Sequence, residues 1–321
     1  MTMRDLAKLA NVSVSTVSKA FREADDVSPR TREQIFSLAR EQGCFGKYYK
    51  GRYHKKVVAI ICPELLSDYY SRFTDGLREQ IEKNGCMCLM SSDNFSKVKQ
   101  EELIDYYVSH LQVDGLFVLN MQAGLKKAYD RPIVSLFSDP GGNVDSVRVD
   151  TAGAVRSALQ LLIRLGHRHI AFLGESLTVR KAEEFQQSAR EWDIPNAVVV
   201  ESAHRFEKAG EDGIRQLLSD YPKTTAVLCA YDNIAYGAIR VLQEAGVEVP
   251  QDMSVVGIDN NSTSGYMKPE LTAVDMNPRE VCQIAWELLN RRLENKGFRA
   301  RQTVTIKPEL ILRESHSAPR E

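Results

Sequence analysis

The chain has no apolar run approaching the ~20 residues needed to span a bilayer, and its longest candidate, Val57 to Cys62, is strand-sized. Its opening, Met1-Thr2-Met3-Arg4-Asp5, lacks the apolar core and small-residue cleavage site of a secretion signal. A cytoplasmic location without membrane association is therefore expected. Cysteines are few and scattered: Cys44, Cys62, Cys86, Cys88, Cys229 and Cys282 contain no Cys-x-x-Cys pair. Four of them lie inside apolar runs, where a thiol acts as a small hydrophobe. Cys86-x-Cys88 puts two thiols on one face of a strand, which reads as core. His167-x-His169 has ligand spacing but no Cys or acidic partner at ligand spacing nearby, so no metal is expected. Gly-x-Gly-x-x-Gly, a phosphate-loop lysine, Gly-x-Ser-x-Gly and His-Glu-x-x-His are all absent, so neither catalysis nor a cofactor is indicated.

What is present is an uneven charge distribution. Residues 1–56 carry twelve Lys and Arg against six Asp and Glu, a net of +6. The remaining residues carry thirty against thirty-seven, a net of −7. At 321 residues the chain is long enough for two or three domains. A basic head on an acidic body is what a polyanion-binding module joined to a separate domain would show.

The head reads as three helices. Thr2 with Asp5 three residues on forms a capping box ahead of Leu6, Ala7, Leu9 and Ala10, an apolar face at helical spacing. Asn11 tolerates the left-handed conformation that closes such a helix. Ser13 caps a second helix through Phe21, and Ser28-Pro29 announces a third that runs to Gly43. Two short helices joined by a tight turn, with a third packed behind, make a helix-turn-helix. The outward face of the second carries Val14, Ser15, Thr16, Ser18 and Lys19, whose hydroxyls and ammonium suit phosphates and base edges.

The run Met3-Arg4-Asp5-Leu6-Ala7-Lys8-Leu9-Ala10-Asn11-Val12-Ser13-Val14-Ser15-Thr16-Val17-Ser18-Lys19 closely resembles the opening of the LacI/GalR family of bacterial repressors, as does Val27-Ser28-Pro29-Arg30-Thr31-Arg32. The resemblance implies that Val14, Ser15 and Lys19 read bases in the major groove and that Thr16, Ser18 and Thr31 lie nearer the phosphates. Asn11 replaces the usual turn glycine. Lys19 stands where arginine is common, and a point charge cannot make a fork-shaped contact. Residues 46–56, Gly46-Lys47-Tyr48-Tyr49-Lys50-Gly51-Arg52-Tyr53-His54-Lys55-Lys56, are basic and aromatic but lack the family's Pro-Asn and Ala-Arg-x-Leu hinge signature. Gly51 disfavours a hinge helix by about 1 kcal/mol against alanine. Tyr53 falls near the family's minor-groove leucine, so the segment is either a wedge or an extended basic tether.

From Val57 onward, short apolar runs alternate with amphipathic stretches, the mark of a parallel α/β sheet. Strands are expected at Val57–Ile61, Met87–Met90, Gly115–Leu119, Ile133–Leu136, Ile170–Leu173, Val198–Val200, Ala226–Cys229 and Ser254–Ile258. The pattern divides near Val147-Arg148-Val149-Asp150, which suggests two α/β lobes facing one cleft, with ligands beyond the carboxyl ends of the strands. Several blocks resemble the family's periplasmic-binding-protein-like sensor. Among them are Leu165-Gly166-His167-Arg168-His169-Ile170, Asp232-Asn233-x-Ala235-x-Gly237, and Val249-Pro250-Gln251-Asp252-Met253-Ser254-Val255-Val256-Gly257-Ile258-Asp259.

That resemblance implies an α/β fold: a three-helix head (1–45), a linker (46–56), and a two-lobed body (57–321) that binds effector and dimerises. Lobe one is expected at about 57–148 and 277–300, lobe two at about 149–276 and 301–316. Tyr69 and Tyr70 fall at the family's aromatic pocket positions, and Lys181 at that of its pocket arginine. Arg180 lies beside it, with Glu184 in place of a glycine and Tyr231 where asparagine is frequent. Asp232 and Asp259 either accept hydrogen bonds from ligand hydroxyls or cap the following helices. The expected function is a homodimeric transcription regulator, a repressor, binding a near-palindromic double-stranded operator under control of a carbohydrate-like effector unlike that of well-known members. A solute-binding protein is the alternative that the body alone would permit.

Overall fold

The computed structural model describes residues 1–49, 55–125, 129–141, 144–294 and 300–320. The chain divides into two compact units, Met1–Lys56 and Val57–Glu321.

In the first unit the caps set the helix ends. Thr2 and Asp5 form the capping box of α1 (Met3–Ala10), and Asn11 closes it at φ 53°. The Ser13 hydroxyl accepts from the Thr16 amide to start α2 (Val14–Phe21), and the Ser28 hydroxyl accepts from the Thr31 amide to start α3 (Pro29–Glu41). Their apolar faces bury Leu6, Ala10, Val17, Ala20, Phe21, Ile35 and Phe36 in one small core. The chain does not leave this core at residue 45. A further turn, α4 (Phe45–Tyr48), brings Phe45, Tyr48 and Tyr49 onto Phe21 and Phe36 with ring centroids 5.1–6.0 Å apart. Tyr48 donates to the Met1 carbonyl and Tyr49 to Glu23, each at 2.7 Å. The first residues assigned to the linker thus pack on the head, because ring burial outweighs the freedom that Gly46 gives the backbone. Tyr53 lies outside the described residues.

The second unit holds two six-stranded sheets. Lobe one contains β1 (Val57–Cys62), α5 (Asp68–Lys83), β2 (Met87–Ser92), α6 (Lys97–Asp105), β3 (Gly115–Leu119), β4 (Ile133–Leu136) and β5 (Asp145–Val149). Lobe two contains α7 (Thr151–Arg164), β6 (Ile170–Glu175), α8 (Val179–Glu191), β7 (Val198–Ser202), α9 (Phe206–Asp220), β8 (Ala226–Cys229), α10 (Asp232–Glu244), β9 (Ser254–Asp259) and β10 (Thr272–Asp275). The chain then returns to lobe one with α11 (Pro278–Glu294) and β11 (Thr303–Ile306), and ends in lobe two with β12 (Glu309–Ile311). The strand orders are β11-β5-β4-β3-β1-β2 and β12-β10-β9-β8-β6-β7. All pairings are parallel except β10 with β12. In β1 both faces are covered: Val58 and Ile60 pack towards Phe73, Leu77 and Ile81, while Ala59 and Ile61 pack towards Ile104 and Val108. That double burial is why the parallel strands read as unbroken apolar runs.

The eight expected strands are present, and four more join them. In β5, β10 and β12 charged residues, among them Arg148, Asp275 and Glu309, interrupt the apolar run. β11 corrects the expected lobe boundary. Residues 303–306 pair with β5 in lobe one, so the chain crosses between lobes three times, at Asp150, Met276-Asn277 and Lys307-Pro308. The crossings are tied together: the Asp150 amide donates to the Ile306 carbonyl at 2.9 Å, and Asn277 Nδ2 to the Lys307 carbonyl at 3.0 Å. His167 is structural. Its ring lies 2.8 Å from the Thr225 hydroxyl and 2.9 Å from the Ser317 carbonyl, clamping the C-terminal segment to lobe two. Five of the six cysteines are buried, and Cys88 is half-buried. No helix among the described residues is long and apolar enough to cross a membrane.

Candidate functional site

The head presents one polar face. Val14, Ser15 and Lys19 are exposed on α2, while Thr16, Ser18 and Thr31 are half-buried. The N-termini of α2 and α3 are built alike: Thr16 Oγ1 lies 2.7 Å from Ser13 Oγ, and Thr31 Oγ1 lies 2.8 Å from Ser28 Oγ. Such hydroxyls, beside unpaired helix-end amides, suit phosphate oxygens. Lys19 Nζ pairs with Asp26, in the loop between α2 and α3. Both partners are largely exposed, so this pair is weak and easily exchanged for a nucleic-acid contact.

In the second unit the carboxyl ends of both sheets face one cleft. From lobe one comes an aromatic wall. Tyr69, in the first turn of α5, lies 4.9 Å from Phe73, 5.0 Å from Phe137 and 5.2 Å from Tyr70, and Tyr70 lies 5.8 Å from Phe95. Burial raises the phenol pKa of Tyr69 well above its ordinary value, with the Asp259 charge adding to it. Two of these rings sit on strained backbone. Phe95 after β2 and Phe137 after β4 have φ of 58° and 70°, and Phe206 in lobe two has 58°. A bulky residue at positive φ costs of order 1–3 kcal/mol and is kept where a site requires it.

Lobe two supplies the polar wall. Asp259 ends β9 at φ 110° and is 4% exposed. Its Oδ1 is buried without a hydrogen-bond partner, and the nearest cation, Lys181 Nζ, is 3.9 Å away. Burial pushes the carboxyl up to about 6, against the lowering charges of Lys181 and Arg72. Lys181, on α8, donates to the Ala230 carbonyl at 2.6 Å. The Tyr231 hydroxyl accepts from the Phe206 amide at 3.0 Å and donates to Glu175 Oε1 at 3.4 Å. Arg180 is exposed.

Asp232 departs from the expected ligand role. It is fully buried, and its Oδ2 accepts from the Asn261 amide at 2.7 Å and the Ser264 hydroxyl at 2.6 Å, so it braces the turn after β9 from below. Its other oxygen faces Gly257, where a Cβ would lie 2.3 Å from it. Tyr69, Tyr70, Lys181, Tyr231 and Asp259 are brought together; Asp232 is scaffold.

Sequence reading missed Arg72, Glu64, Glu175, Arg205, Phe95, Phe137 and Phe206. Arg72, on α5, donates through Nη1 to the carbonyls of Asp259 at 2.9 Å and Asn260 at 3.0 Å. The one available signal was position: each follows, or helps to bracket, the carboxyl end of a strand.

Comparison with known proteins agrees with both units. Residues 2–43 match the sequence profile of bacterial regulatory proteins of the lacI family, and residues 159–316 that of a periplasmic binding protein-like domain. The chain is 28% identical over 332 residues to the "Ribose operon repressor" of Haemophilus influenzae, covering 98% of each. The fold superposes on a LacI-family transcriptional regulator from Silicibacter pomeroyi with TM-score 0.76 at 21% identity, covering 100% of both chains. It also superposes on a lac repressor dimer bound to operator and the anti-inducer ONPF, with TM-score 0.73 at 21% identity and 99% coverage of each. With a helix-turn-helix unit followed in sequence by a unit of two facing α/β lobes, the chain belongs to the LacI family of bacterial regulatory proteins and is a DNA-binding transcription regulator.

Proposed function

We propose that this regulator is a cytoplasmic homodimeric repressor of a near-palindromic operator, released or engaged by a hydroxyl-rich small molecule held between the lobes. Residues 1–45 read the DNA, residues 46–56 connect, and residues 57–321 bind effector and dimerise. One short head spans only a few base pairs, so a two-fold pair is the economical reader. The lac repressor structure that this fold resembles is a dimer on its operator.

A single observation carries the effector reading: Asp259 Oδ1, buried without a hydrogen-bond donor at the cleft. An unsatisfied buried carboxylate oxygen is costly, and a ligand hydroxyl relieves that cost while Tyr69 offers its ring to a sugar face. Lys181 Nζ lies 3.9 Å from the same oxygen. D-Ribose is the first probe, because the relative from Haemophilus influenzae is named for a ribose operon; a panel of sugars, sugar phosphates and nucleosides follows. A thermal-shift screen of the whole chain identifies the class, since a ligand at 100 times its Kd adds ~2.7 kcal/mol of stability. Asp259→Asn then lowers effector affinity by about 1.5–3 kcal/mol, the worth of a hydrogen bond to a charged group. Operator binding without effector survives. Unaltered calorimetric affinity in the variant would remove Asp259 from the site.

On the head, Lys19→Ala weakens specific binding by about 1–3 kcal/mol and leaves random-sequence DNA nearly unaffected. The operator for this measurement is selected from random duplexes with the parent chain. Equal losses on operator and random DNA would show a phosphate contact in place of base reading.

A further inference from the structure

Three charged side chains, Arg205, Glu64 and Arg72, join the two lobes directly. Arg205, the residue before α9 in lobe two, reaches Glu64, which follows β1 in lobe one. The contact is a two-pronged fork: Nη1 to Oε2 at 3.0 Å and Nη2 to Oε1 at 2.6 Å. The same guanidinium lies 4.5 Å over the ring of Phe206 from its own lobe and 5.8 Å from that of Phe95 in the facing lobe. Its Nε is 3.8 Å from Glu175 Oε1, and that carboxylate is buried and receives the Tyr231 hydroxyl. A second bridge is Arg72, whose Nη1 reaches three oxygens on the turn after β9: the Asp259 and Asn260 carbonyls and Asn261 Oδ1, the last at 3.3 Å.

The Arg205 charge is met by Glu64 and, at 3.8 Å, by Glu175, whereas Arg72 Nη1 meets neutral oxygens. A planar guanidinium held by a carboxylate fork is among the stronger and most directional of side-chain contacts, and here two rings border it. The three crossings between lobes fix how the lobes are hinged but leave them free to open.

We infer that Arg205, by clasping Glu64 across the cleft, is a positioning residue that stabilises the closed arrangement of the lobes. A ligand alters operator affinity by the difference between its contacts in the clasped and the open form. This reading requires neither the sugar class nor the role of Asp259, so it stands or falls separately from them.

The test is amide hydrogen exchange, read by mass spectrometry on the full chain without DNA or added sugar. Arg205→Ala and Glu64→Gln each speed exchange by about tenfold or more in segments 64–72 and 259–266, which face each other across the cleft. Amides of β3 and β8 keep their protection, which shows that the lobes themselves remain folded. The charge-swapped pair Glu64→Arg with Arg205→Glu restores protection to both segments. Unchanged exchange in the two single variants overturns the inference. So does a swapped pair no better protected than Arg205→Ala, because that outcome assigns the effect to packing on Phe206 alone. Should Arg205→Ala unfold lobe two, Glu64→Gln and the swap decide the matter, since Glu64 lies in the other lobe.

Discussion

Gly237→Ala should cost the second unit about 3 kcal/mol or more, at the upper end of overpacking penalties, although alanine is the better helix former by about 1 kcal/mol. A Cβ at Gly237 would lie 1.8 Å from the carbonyl oxygen of Glu207 and 2.9 Å from that residue's Cα. Those are backbone atoms of α9, so no side-chain rotation relieves the clash. The arrangement is reciprocal: a Cβ at Gly210 would lie 1.9 Å from the Ile234 oxygen on α10. Two glycines thus let α9 and α10 cross with their backbones in contact. The consequence reaches the cleft, because α9 begins just after Arg205 and α10 just after Tyr231, and the Tyr231 hydroxyl holds the Phe206 amide. Parting the helices disturbs one whole side of the polar wall. Calorimetry of the full chain measures the loss. Gly213→Ala is the control, because its nearest neighbour, Leu173 Cδ2 at 2.9 Å, ends a flexible side chain. Equal, small effects of both changes would mean that the helices slide apart cheaply.

Gly237 shows what the sequence can and cannot convey. It stands within a block that marks the family, yet the reason for glycine appears only when α9 is laid against α10. Local features were legible in full: the hydroxyl caps at Thr2, Ser13 and Ser28, the left-handed Asn11, and the apolar runs of the central strands all act within a few residues of themselves. Tyr69, Tyr70, Lys181 and Asp259 were found by register against the family and do converge on one cleft. The clasp was invisible for a plain reason. Arg205 and Glu64 are 141 positions apart, Arg72 and Asp259 are 187 apart, and no periodicity relates them. Phe95, Phe137 and Phe206 gave no signal either, since positive φ at phenylalanine contradicts local preference and is imposed by the surrounding fold. Asp232 lies differently from Asp259. Its place after a strand suits a ligand contact, and only its burial shows that its carboxylate is turned inward to the Asn261–Ser264 turn.

That inward turn makes Asp232 a source of pH dependence. Burial, reinforced by the charge of Asp259, pushes its carboxyl up to about 8, even though Ser264 and the Asn261 amide pull it down. In the unfolded chain an aspartate titrates near ~3.9. Between those values the folded unit retains a proton that the unfolded chain has released, so stability falls as pH rises. The contribution is complete below the unfolded value and is lost as pH passes through about 8. Asp259, pushed up to about 6, acts with the same sign over a lower range, whereas His167 and His316, lowered by burial, act with the opposite sign below neutrality. The informative window is therefore pH 7 to 8.5, roughly, read as a difference between parent and Asp232→Asn. Asparagine keeps an oxygen for Ser264 and the Asn261 amide and has no charge to bury. The variant should melt at nearly the same temperature across that window, while the parent loses stability, and it should overtake the parent at the alkaline end. Parallel melting curves would mean that Asp232 is already ionised in the folded protein and that the turn after β9 tolerates its charge.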